Sequence, residues 1–148
     1  MLITSDEFLY SGLPVSTDIT ADEIEMSIRT VEQFYIKQWF GDIWADIVAN
    51  EDHAYDDVIE GTDTLAGLKM AEYHLTFGYM LYDTMRLTRF HAVIKNDEHS
   101  DNPSREDLLA IAKHHWEIGT VFVKEIANYL EIDIAKALND LIFNELYI

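Results

Sequence analysis

Between Leu65 and Thr88 only four residues carry a formal charge, Lys69, Glu72, Asp83 and Arg86, and from Tyr73 to Tyr82 there is none. Leu65, Leu68, Leu75, Tyr79 and Tyr82 fall at helical spacing, while Met70, Phe77 and Leu81 carry apolar surface onto other faces. A helix that is apolar most of the way round is normally a buried one. The stretch Thr64–Arg89 is therefore expected to be a central core helix, about 39 Å long at 1.5 Å per residue. A membrane span needs about 20 mostly apolar residues. The uncharged run here is half that and contains His74 and Thr76. Any fold for this chain must wrap other elements around that helix.

The flanking sequence supplies such elements. Thr4 or Ser5 opens a short helix with Asp6 and Glu7 in its first turn, and Gly12 and Pro14 end it. Acids are favoured there because the helix dipole is positive at that end. Thr20-Ala-Asp-Glu23 has the pattern of a capping box, in which hydroxyl and carboxylate each satisfy an otherwise unpaired amide. Ile24, Ile28, Val31, Tyr35 and Trp39 then share one face, predicting an amphipathic helix that Gly41 bends or breaks before Ile43–Val48 continues. Glu51–Asp63 is expected to be a solvated acidic loop. Its Asp52, Asp56, Asp57 and Glu60 do not keep the register of a calcium loop. Thr62 or Asp63 is the expected cap of the central helix.

After Arg89 the segment Phe90–Lys95 loses the helical period and reads as an extended arm, followed by a polar loop to Pro103. Ser104-Arg-Glu-Asp107 caps the next helix, with Leu108, Ala112, His115 or Trp116, Gly119, Phe122, Ile126 and Tyr129 as its stripe. The chain restarts near Asp133, where Ile134, Leu138, Leu141 and Ile142 predict a C-terminal amphipathic helix. The expected fold is a single all-α domain over residues 1–148. It is a small helical bundle with a long central helix, short flanking helices and one extended arm at about residues 90–103.

Charge narrows the function classes. The chain has 28 acidic and 10 basic residues, a net charge of −18. Nucleic-acid affinity rests on Lys and Arg meeting phosphates, so such a surface repels DNA and anionic membranes. It fits a soluble acidic protein, a surface that lets DNA pass without sticking, or a mimic of DNA itself. With no cysteine, disulfides and thiolate metal sites are excluded. No basic start followed by an apolar segment suggests a secretory signal.

Catalytic signatures are missing. None of the six histidines has an acid three residues before it, as carboxylate-bridged di-iron helices need, and no His-Glu-x-x-His occurs. His114 and His115 point about 100° apart on a helix and cannot easily share one ion. No nucleophile elbow, phosphate loop or dinucleotide fingerprint appears. The expectation is a non-enzyme with no metal and no cofactor, and with Gly67 and Gly78 serving close helix packing. One concentrated oddity remains. Arg86, Arg89 and Lys95 place three of the ten bases within ten residues, beside Phe90 and Val93. The segment reads either as a local pair of Asp83 with Arg86 or as a docking site for an acidic surface.

A short N-terminal segment, a capped helix ending in the aromatic stretch Tyr35–Phe40, a long central helix, an extended arm and further helices follow in that order. This order resembles the helical head-to-tail connector, or adaptor, proteins of tailed phages. The part from Ala71 to Tyr129, with Thr-Arg-Phe-His-Ala-Val-Ile-Lys at 88–95, is most similar to ring proteins of crAss-like Bacteroides phages. The resemblance covers most of the chain and is carried by helix order and by the residues at 88–95. It implies a structural virion protein at the head–tail junction, made in the bacterial cytoplasm. Such a protein forms a ring, typically dodecameric, against the portal and neighbouring ring or tail proteins, with DNA passing through. On that reading Arg86, Arg89, Phe90, Val93 and Lys95 form the contact between chains. The alternative class is a small acidic inhibitor that mimics DNA.

Overall fold

The computed structural model describes residues 1–16, 18–87 and 104–134, and of residues 84–87 the backbone only. The described residues form an all-α domain, as the capping signals and periodicities predict. In chain order the elements are α1 (Ser5–Leu9), α2 (Ala21–Val31), a π-helical turn (Glu32–Ile36), α3 (Lys37–Phe40), α4 (Ile43–Ala49), a 3-10 turn (Glu51–His53), α5 (Asp56–Glu60), α6 (Leu68–Leu87) and α7 (Arg105–Tyr129). The extended arm and the C-terminal helix expected from the sequence lie outside the described residues, Ile134 excepted.

The capping box predicted at Thr20 forms, and the expected helix starts at Thr4 and Ser104 carry one as well. Thr4, Ser104 and Thr20 each accept from the amide three residues on, and the acid there reaches back to the cap amide. Each such cap contributes about 1 kcal/mol. Ile24, Ile28 and Val31 are fully buried on the inner face of α2, with Trp39 nearly so. The π turn adds a residue to the helical ring and brings both Glu32 and Ile36 inward, a break in period that no local signal announces. Gly41 ends α3 with φ of +60°.

Two boundaries differ from expectation. The central helix begins at Leu68, not near Thr64. The Thr62 hydroxyl that was expected to cap it instead accepts from the amides of Thr64 and Leu65, closing a turn. A Cβ at Gly67 would collide with the backbone of Ile59, Glu60 and Gly61, so the chain enters the helix pressed against the end of α5. The segment 51–63 is also more structured than a loop. Val58 and Ile59 are buried, and the Asn50 side chain accepts from the Tyr55 amide while donating to Asp56. Its acids nonetheless remain exposed.

Helices α6 and α7 form the tightest seam. A Cβ at Gly78 would lie 2.8 Å from the Ala112 carbonyl oxygen, and one at Gly119 would lie 2.5 Å from Leu75 Cγ. The loss of helix propensity at each glycine, about 1 kcal/mol, is offset by the close approach it permits. Trp116 is the buried member of the His115/Trp116 alternative. Its ring meets Tyr35 at 4.9 Å and Trp39 at 6.1 Å, both edge-on, joining α7 to the π turn and α3. On the other side of α6, Lys69 Nζ lies 2.6 Å from Glu60 and 3.2 Å from Glu7, tying α5 and α1 to the central helix. Among the described residues no helix is long and apolar enough to cross a membrane.

Candidate functional site

Of the residues singled out for chain-to-chain contact, Arg86 lies in the last turn of α6, where the backbone alone is described. Arg89, Phe90, Val93 and Lys95 lie outside the described residues. The structure therefore neither joins nor separates that set, and the chemistry visible in the fold lies at three other places.

The first is a carboxyl pair in the core. Glu72, on the first half of α6, is fully buried, and neither of its oxygens has a hydrogen-bond partner among the described residues when both act as acceptors. Burial pushes its pKa well above the usual carboxylate range, and the neighbouring Glu32 pushes it further. Glu32 is supplied differently. Its Oε1 accepts the Leu2 amide at 2.6 Å, and its Oε2 lies 3.7 Å from the Met1 amino nitrogen. The arrangement is satisfied when Glu72 carries a proton and donates it to Glu32, since two carboxylates cannot both ionise cheaply in a dry site. Sequence periodicity could not reveal this pair. The π turn sets Glu32 inward, and charged residues on a predicted core helix read as its solvent edge.

The second is a histidine pair across the α6–α7 seam. His74 Nδ1 and His115 Nδ1 are 2.9 Å apart, with rings nearly parallel at 17° and centroids 5.1 Å apart. Phe77 meets His115 edge-on at 4.7 Å, and Phe122 meets His74 at 5.8 Å. One imidazole N–H donates to the other's lone pair, so a second proton would set two donors against each other. Burial lowers both pKa values, that of His115 to about 4, with His114 adding repulsion to each. Among the described residues no group of three or more metal-ligating side chains occurs. The pair acts as a neutral polar clasp inside an aromatic box.

The sign of its pH dependence follows. A histidine held below its free pKa of 6.5 stabilises the fold above that value, and this contribution is lost as pH falls towards about 4. His115→Phe is expected to flatten the acid limb of the stability profile between those values. Thermal melts followed by near-ultraviolet circular dichroism at stepped pH read this directly. An acid limb of unchanged slope would remove the clasp as its cause.

The third is the surface charge. All eight acids between Asp42 and Asp63 are exposed, and no Lys or Arg interrupts them. The sequence expectation of a solvated acidic region holds for these side chains even though part of the segment is helical. The outer surface of α2 and the π turn is different in character, with Met26 and Phe34 exposed beside Arg29 in a groove that Asp22 and Glu25 also line. Comparisons with protein-family models, curated proteins and solved structures give no match to this chain.

Proposed function

We propose that the chain is a structural protein that assembles with copies of itself, as a connector ring at a phage head–tail junction beneath a portal. The observation that carries this reading is the run of eight exposed carboxylates over residues 42–63, with no Lys or Arg among them in the sequence and, among the described residues, only Glu60 paired to a lysine, Lys69. A carboxylate-rich surface offers phosphates nothing to displace counterions with, so a duplex slides past it. The helix order resembling connector proteins supports the same assignment and supplies the portal as partner.

The same carboxylates also favour a second reading, an acidic decoy that occupies the DNA site of another protein. The two readings separate on partner and on assembly. In both, the chain itself leaves duplex DNA unbound. Fluorescence anisotropy with a labelled duplex at about 150 mM salt is expected to show no submicromolar binding. Tight binding there would contradict both. Displacement of DNA from a host DNA-binding protein by the monomer would favour the decoy over the connector.

A further inference from the structure

We propose that the outer face of α2, the π turn and α3 docks the acidic 42–63 segment of a second copy of this chain, in a head-to-tail contact. The inference rests on the self-assembly part of the function proposed above and assigns it a surface. Phe34 is 71 % exposed and Met26 65 % exposed. They line a shallow groove with Arg29 and Gln33, while Lys37, also exposed, lines the neighbouring depression with Asp42, Trp44 and Val48. Between Met26 and Gly41 the only acid is Glu32, which is buried, so the exposed residues there carry two bases and no acid. Asp22 and Glu25 bound the groove only at its N-terminal end.

Three features select the occupant. On a chain of net charge −18, two copies repel over most of their surface, so a contact is favoured where the exposed bases Arg29 and Lys37 meet carboxylates. Arg29 and Lys37 make no ion pair among the described residues, so both remain available to a partner. The 42–63 segment supplies eight exposed acids with no intervening Lys or Arg, of which Glu60 is held by Lys69, and Val48 adds exposed apolar surface beside them. The π turn contributes directly, because Glu32 and Ile36 both point inward and leave Phe34 projecting between them. An aromatic anchor flanked by a guanidinium matches the composition of interface cores. Because the two faces differ, the contact is heterologous, and repetition closes a ring or extends a filament.

Charge reversal tests the occupant better than salt does, since salt screens the net repulsion together with the local attraction. Sedimentation velocity on the full chain at up to about 100 µM is the readout. Wild type is expected to self-associate. Phe34→Ala and the double variant Arg29→Glu with Lys37→Glu are expected to weaken association at least about tenfold, with circular dichroism unchanged, because all three side chains are exposed. Glu51→Lys with Asp57→Lys is expected to weaken it equally. Mixing the two charge-reversed proteins should restore association, since the intact positive face of one meets the intact acidic segment of the other. Wild-type assembly by both charge-reversed variants would overturn the inference while leaving ring formation standing on another face. Failure of the mixture to associate would overturn the acidic segment as occupant. A wild type that stays monomeric would overturn both this contact and the self-assembly reading.

Discussion

Replacing Trp116 with alanine is expected to lower stability by about 3–5 kcal/mol, within reach of the whole stability of a typical domain. The side chain is fully buried and makes edge-on contacts with Tyr35 and Trp39, so its loss opens a cavity where α7 meets the π turn and α3. The site cannot collapse easily. Gly78 already brings the α6 backbone close to the α7 backbone at Ala112 and Trp116, and further approach is blocked. Urea unfolding followed by circular dichroism should show a lower midpoint with little change in slope. Trp116→Phe, which keeps most of the ring volume, should lose much less. A loss below about 1 kcal/mol for the alanine variant would show that this aromatic cluster does not hold α7 in place.

Glu72→Gln is expected to stabilise the protein, and more strongly as pH rises. Glu72 has its pKa raised by burial and by Glu32, so its contribution is fully present below the unfolded value near 4.5. That contribution is lost as pH rises through the folded value, because the fold then has to hold a buried carboxylate beside another acid. Glutamine keeps the shape and a donor for Glu32 without titrating. The difference in melting temperature between variant and wild type should therefore be small near pH 4.5 and grow steadily on the alkaline side. Its direction is opposite to that of the histidine clasp, which loses stability in acid. A difference that does not change with pH would mean that Glu72 is already ionised in the fold.

The fold was readable because its determinants are local. Thr4, Thr20 and Ser104 announce helix starts through side chains within four residues, and the inward face of α2 repeats regularly as far as Val31. Gly78 signalled close packing because a glycine inside an apolar helix has few other reasons to be there. What the sequence hid was non-local. Thr62 looked like the cap of the central helix, yet its hydroxyl closes a turn because Gly67 is pressed against α5. His74 and His115 are 41 residues apart, and only the α6–α7 seam brings their Nδ1 atoms together. Nothing in the sequence pairs Glu32 with Glu72, and the inward placement of both depends on the π turn and on the elements covering α6. The basic cluster at Arg86–Lys95 stood out in the sequence, whereas the exposed Met26–Phe34 face did not. A methionine and a phenylalanine on a helix read as core until the opposite face is seen to be filled.

The central claim is that this chain works by assembling with itself, and single-particle imaging beside sedimentation velocity tests it most directly. The purified chain, alone and with a portal ring, is predicted to form a closed ring of repeated 17.1 kDa subunits around an open channel. A single 17.1 kDa species under both conditions, at every concentration reached, would contradict it.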